Sequence, residues 1–361
     1  MAEQRFPHRR LHALAHAICE RAGSSPREAE LVADHLVLAN LLGHDSHGIG
    51  LVPYYMRSLN LGKLHANRHA SVVREDGAYL VMDGQFGYGQ VVAHEATEAA
   101  IAKTKANGVC VLALRNARHI GRVGHWGEMC ATAGFISIHY VNAIGFPAQV
   151  APFGGRDARF STNPYCTAIP AAGGRPALVL DFATSFVAQG KVRVAHNQRV
   201  ETPEGALIDH QGRPTRDPKV LFEAPYGAIQ PMGQHKGYGL ALVVELLAGA
   251  LSGGGTYSRD RIDQDTVQNN MLAIVIDPAR FGDAGFVSRE TAAFQDWVAA
   301  SPPAKGVAEV MMPGEPERKM RAEREAKGVP VDERTWEELL AAAESVGLPR
   351  SQALNIAGAN R

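Results

Sequence analysis

The rhythm of apolar positions changes along the chain. Near the start they recur at helical spacing: Leu11, Leu14, Ala15 and Ile18, then Leu31, Val32, Leu36 and Ala39. The second of these helices opens at Ser25-Pro26-Arg27-Glu28, where Ser25 caps, Pro26 takes the first position and Glu28 closes a capping box. Through the middle, short apolar runs alternate with helical stretches. Residues 70–74 and 78–82 predict strands around Asp76-Gly77, a hairpin signal. A helix over 90–105 ends at Asn107-Gly108, followed by a strand at 109–114, a helix at 122–133 and a strand at 135–141. Further strands are expected at 178–181 and 271–276, with helices from about 186 and over 236–251. After Pro302 the chain turns charged and helical, at 315–327 and 333–346. Alternation in the middle and helices at both ends predict an α/β core with a helical subdomain built from both termini.

With 361 residues the chain exceeds what one core serves well, so two or three subdomains are expected. Lys+Arg and Asp+Glu both total 37, and this zero balance argues against nucleic acid or an acidic membrane as partner. Cys19, Cys110, Cys130 and Cys166 form no CxxC pair, and free thiols in a reducing compartment are the simplest reading. The start, MAEQRFPHRR, has no apolar signal segment, and the longest apolar stretch, 240–251, is interrupted by Glu245. A soluble, cytoplasmic protein with no membrane or nucleic-acid partner is expected.

No GxGxxG, P-loop or HExxH occurs. A dinucleotide would therefore need other backbone N–H groups, a helix N-terminus or a lysine for its diphosphate. Six segments could carry chemistry. His44-Asp45-Ser46-His47-Gly48 sits in a glycine-flanked loop, and a histidine can supply the proton that carbonyl reduction requires. The same loop is equally readable as a helix end, and His44 with His47 lacks an evident third metal ligand, so no metal is expected. Asn116-Ala117-Arg118-His119-Ile120-Gly121-Arg122 follows a strand's carboxyl end, where α/β folds place ligands. Ser161-Thr162-Asn163-Pro164 forms the third segment. Asp181-Phe182-Ala183-Thr184-Ser185 ends another strand, although capping alone explains Asp181 or Ser185 taken singly. His235-Lys236 opens a helix whose dipole opposes a lysine unless an anion lies near. Pro313-Gly314-Glu315 carries no chemistry by spacing alone.

In this order the six segments resemble the malate/L-lactate/L-sulfolactate dehydrogenase family over nearly the whole chain, closest to its bacterial hydroxycarboxylate dehydrogenase B branch. The resemblance implies an L-sulfolactate dehydrogenase-like, mixed-sheet, non-Rossmann fold, NAD or NADP as cofactor, and a homodimer or larger assembly with the cofactor near the subunit interface. It implies proton transfer by His47 or His119 with Ser46 assisting, and cofactor contacts at Asp181, Phe182, Ala183, Thr184, Ser185, Phe186, Val187, His235, Lys236, Pro313, Gly314 and Glu315. The expected division is 1–69 plus 302–361 helical, 70–117 plus 177–301 cofactor-binding, and 118–176 on the substrate side. Many members carry an arginine where this chain has Leu51, and a small residue where it has Arg122. Arg122 is therefore expected to grip the substrate carboxylate, with Asn142 and Arg57 as further substrate contacts. The expected reaction interconverts 2-oxo and 2-hydroxy acids. Rivals are reduction of a cyclic imino acid on the same fold, a cofactor-free hydrolase using Ser46, His47 and Asp181, and a non-catalytic anion binder.

Overall fold

The strands at the centre of the chain combine stretches in which buried and half-exposed residues alternate with runs that are buried throughout, as in Val109–Ala117, Ile136–Ile144 and Gln268–Ile276. The computed structural model describes residues 3–258, 260, 262 and 266–359. The elements are β1 (Glu3–Phe6), α1 (His8–Arg21), α2 (Pro26–Leu41), α3 (Val52–Asn60), β2 (Ser71–Asp76), β3 (Tyr79–Asp83), α4 (Gly89–Asn107) and β4 (Val109–Ala117). They continue with α5 (Gly124–Thr132), β5 (Ile136–Ile144), β6 (Tyr165–Ile169), β7 (Leu178–Phe182), α6 (Gln189–Gln198), β8 (Leu207–Ile208), β9 (Pro214–Thr215) and β10 (Ala228–Ile229). The last group is α7 (His235–Val244), β11 (Gln268–Ile276), α8 (Ala284–Ala299), α9 (Glu315–Lys327), β12 (Val329–Asp332), α10 (Glu333–Ser345) and α11 (Arg350–Ala357).

The main sheet has seven strands in the order β2-β3-β4-β11-β5-β6-β7. Only β3 and β4, joined by α4, run parallel; every other neighbouring pair is antiparallel. This mixed sheet is not doubly wound, which accounts for the missing nucleotide-binding fingerprint. One face, including Cys110, Leu112, Val141, Cys166, Ala168 and Val275, is buried beneath α4 and α5. The opposite face is buried at one end, where residues 245–251 pack over Ala113, Asn142 and Leu272, and half-exposed at the other, at Val111, Ile138, Tyr140, Tyr165 and Ile274.

Both ends of the chain meet in a helical layer. β1 pairs antiparallel with β12, and Phe6 lies against Trp336 at 4.4 Å between ring centroids. Leu11, Leu14, Ile18, Val32 and Leu36 share one core with Leu339, Leu340 and Ala353. A third, smaller sheet, β10-β8-β9, encloses Leu207 and Ile229 with Val192 of α6.

Several expectations shift by a few residues. The helix expected from about 186 begins at Gln189, and the helix expected to run to 251 turns π-helical over Glu245–Leu251. The capping box at α2 is half-formed. Ser25 Oγ accepts from Glu28 N at 3.3 Å, but the Glu28 carboxylate instead receives Asn67 N at 3.0 and 2.9 Å. The periodicity does not predict β1, β6, β8, β9, β10, β12, α3, α8 and α11, because short or two-sided elements leave a weak pattern. The outermost residues 1–2 and 360–361 of the expected helical subdomain lie outside the described residues.

Candidate active site

His47 and His119 come from loops 72 positions apart, yet their rings stack at 5.6 Å between centroids and 20° between planes. Each is held from behind. Ser46 Oγ lies 3.1 Å from His47 Nδ1. The Tyr55 hydroxyl lies 2.9 Å from His119 Nδ1 and accepts a hydrogen bond from Gln90 Nε2 at 2.6 Å. Tyr55 and Gln90 are both buried, on the inward faces of α3 and α4. Burial, then the charges of His119, His44 and Arg122, push the His47 pKa down to about 3. Burial alone pushes His119 down to about 4.

The His47 loop is braced from two sides. Asp45 receives Arg324 of α9 at 2.6 and 2.9 Å and Asn40 Nδ2 at 2.6 Å. Asn40 Oδ1 in turn accepts Ile49 N at 2.8 Å, and a Cβ on Gly48 would lie 2.2 Å from that oxygen. Asp45 is thus tied to Arg324 and Asn40, and the partner of a histidine ring is Ser46. His44 Nε2 sits 3.3 Å from Glu317. The His119 loop is fixed through Gly121, whose φ is +72° and whose Cβ would meet His35 Nε2 at 2.0 Å. His35 accepts Arg122 N at 2.9 Å from the same turn.

Arg122 requires a correction. Its side chain is 3% exposed and its guanidinium is held by Glu128, with Asp181 3.7 Å away. A guanidinium already matched by two carboxylates in a dry setting is not a free clamp for a third. Burial raises the pKa of Asp181 and Glu128, an effect that Arg122 opposes. Asn142 is also engaged. It donates to Glu245 Oε1 at 3.0 Å and accepts from Asn270 Nδ2 at 3.0 Å, inside a buried amide network that includes Asn163. Arg57 lies on the exposed side of α3, lining a groove with Glu338 of α10, because two positions from Tyr55 a helix presents nearly its opposite face. Asp181 accepts Gly124 N at 2.8 Å and orients Arg122, which removes it from the serine-hydrolase arrangement. The cations that sequence reading missed are Lys191 and Arg193 of α6, which line a pocket of about 370 Å³ with Ser46 and Leu51.

The three expected cofactor segments adjoin. Met232 N donates to Thr184 O at 2.8 Å, Phe186 N to Gln230 O at 2.8 Å, and Val179 N to Pro313 O at 3.3 Å. The Thr184 and Ser185 hydroxyls point inward, to Asn163 O at 3.0 Å and Val187 O at 2.9 Å, so they shape the segment. Glu315 Oε2 accepts Met312 N at 2.9 Å, which closes the turn around Gly314. Phe182 packs on Tyr165, Phe186 is 43% exposed, Ala183 is half-buried, and Val187 packs against the small core that includes Leu207 and Ile229. Ahead of α7, Gly233 and Gln234 take φ of 54° and 58°, leaving His235 and Lys236 exposed at the helix start. An exposed helix N-terminus with a lysine in its first turn fits a diphosphate.

The profile described as malate/L-lactate dehydrogenase matches residues 6–340. The chain belongs to this family. Hydroxycarboxylate dehydrogenase B of Escherichia coli K12 is 46% identical over 347 residues, covering 96% of this chain and 95% of that protein. The sulfolactate dehydrogenase structure from Methanocaldococcus jannaschii superposes with a TM-score of 0.86 at 33% identity, covering 96% and 99% of the two chains. The Δ1-piperideine-2-carboxylate reductase structure from Pseudomonas syringae pv. tomato has a TM-score of 0.81 at 30% identity, covering 94% and 100%. Family membership makes the chain an oxidoreductase and accounts for its mixed sheet. Among the described residues, no helix is long and apolar enough to cross a membrane.

Proposed function

We propose that the chain is an NAD(P)-dependent dehydrogenase interconverting 2-hydroxy and 2-oxo acids, with His119 moving the proton at the C2 oxygen. The observation that carries this reading is the stacked His47–His119 pair with the Tyr55 hydroxyl behind His119 Nδ1. A bound nicotinamide supplies or receives the hydride at C2. The start of α7 with Lys236 and His235 would hold its diphosphate, and the 181–187 and 313–315 segments would flank it.

A phenol hydroxyl can donate or accept, so Tyr55 can hold either tautomer of His119 and leave Nε2 facing the substrate. Burial lowers the ring's pKa to about 4, which favours the neutral form before substrate arrives. An incoming carboxylate favours the imidazolium, so the proton is taken up together with the substrate. In reduction, His119 Nε2 then protonates the oxygen and returns to neutral. Lys191 and Arg193, which line a pocket with Ser46 and Leu51, are the proposed grips for the carboxylate, and Leu51 suits a bulky or aromatic substituent. Two copies are proposed to assemble through the half-exposed part of the main sheet.

The test is a panel of pyruvate, oxaloacetate, 2-oxoglutarate, phenylpyruvate and hydroxyphenylpyruvate, each with NADH and NADPH, on wild type, His119→Ala and His47→Ala. General acid catalysis is worth about 10²–10⁴ in rate, so His119→Ala is expected to lower kcat by at least about tenfold. Full activity in both variants would remove the histidine assignment. The similarity to the piperideine-carboxylate reductase supports a second reading, C=N reduction. A cyclic imino acid in the same panel separates the two.

A further inference from the structure

The helical layer holds a second cluster of ligand-type side chains, on the pair α1 and α2 and apart from the histidine pair already described. On α1, His12 and His16 stand four residues apart, so both rings share one face. On α2, Glu30 and Asp34 have the same spacing and point back at them. His12 Nε2 lies 3.0 Å from Asp34 Oδ1 and 3.8 Å from Glu30 Oε2, and His16 Nε2 lies 3.6 Å from the same Glu30 oxygen. Ligand atoms of His12, Glu30 and Asp34 all fall within 4.8 Å of one another.

These separations match a coordination sphere. Zinc binds imidazole nitrogen and carboxylate oxygen at about 2.0–2.2 Å, so the edge of a tetrahedron around it is ~3.4 Å. The three measured distances, 3.0, 3.6 and 3.8 Å, bracket that edge, and the longer two exceed a hydrogen bond. His16 has a further feature of bound imidazoles. Its other ring nitrogen, Nδ1, lies 3.4 Å from Glu20 Oε2. A carboxylate there fixes the tautomer and turns the Nε2 lone pair toward the shared Glu30. Salt bridges between protonated histidines and acids would also draw these groups together. That reading explains the 3.0 Å contact without requiring both Nε2 atoms to converge on one carboxylate oxygen.

The geometry points to a divalent transition-metal site formed by His12, Glu30 and Asp34, whose ligand atoms converge, with His16, 3.6 Å from Glu30 and beside Glu20, completing it once its ring swings toward the ion. Two nitrogen and two oxygen donors suit Zn²⁺, Co²⁺ or Ni²⁺ and disfavour Ca²⁺ or Mg²⁺, which take oxygen. The side chains are between 24% and 59% exposed, so an ion has a direct path in. Bound there, it would staple α1 to α2, whose far end delivers Asn40 to the His47 loop.

The test uses the full-length protein, stripped with chelator and titrated above neutral pH with Zn²⁺ by calorimetry and with Co²⁺ by visible absorption. The expected result is one ion per chain with the intense d–d bands of tetrahedral Co²⁺, and a melting temperature that rises with Zn²⁺. Binding should weaken at least about tenfold in His12→Ala/His16→Ala. It should be unchanged in His210→Ala, an exposed histidine elsewhere. Asp34→Asn keeps the side-chain shape and decides the matter if the double variant folds poorly. Zn²⁺ affinity and Co²⁺ spectrum unaltered by these substitutions, or no binding by the wild type, would overturn the assignment.

Discussion

Burial lowers the pKa of His119, and that sets the pH behaviour expected of any chemistry it performs. Oxidation of a 2-hydroxy acid needs the ring as a base, hence unprotonated. With its pKa lowered to about 4, the ring gains its proton only as pH falls toward that value. The expected kcat/KM profile for oxidation is therefore level through the neutral range and falls near pH 4, whereas an unperturbed histidine would lose activity from about 6.5. A fall centred on the higher value would show that this ring is not the base. His47 and His119 were legible in the sequence because each sits in a short polar run at the end of an apolar element. Tyr55 and Gln90 were not, since one tyrosine or glutamine on the inner face of an amphipathic helix looks like any other core position. Arg122 misled for a related reason. A cation three residues from a histidine suggests a ligand clamp, and only tertiary folding brings Glu128 and Asp181 to it.

Elements, more than single contacts, hold the site in register. α5 begins where Gly124 N meets Asp181 at the end of β7, and Arg122 bridges the same carboxylate to Glu128. Removing one member of such a buried set leaves its partners charged and unpaired. Arg122→Ala is expected to destabilise the fold by about 3–5 kcal/mol in denaturant titration. A KM that rises with stability intact would restore the clamp reading. α9 performs the same service for the other loop, with Arg324 on Asp45 and Glu317 on His44. Sequence periodicity found α1, α2, α4, α5, α9 and α10, whose apolar faces are clear. It missed α8, which exposes Phe286, Phe294 and Trp297 and buries little beyond Ala292 and Gln295. The unfinished capping box at α2 has a similar cause, because a distant backbone amide at Asn67 takes the carboxylate that local chemistry reserves for Ser25.

At the scale of the molecule, one side of the sheet is fully covered and the other only in part, where residues 245–251 pack on β4, β5 and β11. At the end left open, Ile138, Tyr140 and Tyr165 are half-exposed and Leu180 exposed, while α8 presents Trp297 at 74% exposure. A second copy of the chain is the occupant that carries matching apolar surfaces without further assumption. Light scattering is expected to give at least a dimer for the wild type, and a shift toward monomer for Ile138→Lys and for Trp297→Glu. A wild type that is monomeric at assay concentration would refute the assembly. The join between β1 and β12 has a different consequence. Position 3 cannot find position 332 until the ribosome has released nearly the whole message's worth of polypeptide. Leu11, Leu14 and Ile18 therefore emerge early but wait for Leu339 and Leu340 before their shared interior can close. During synthesis the nascent N-terminal hairpin is a natural client for holdase chaperones.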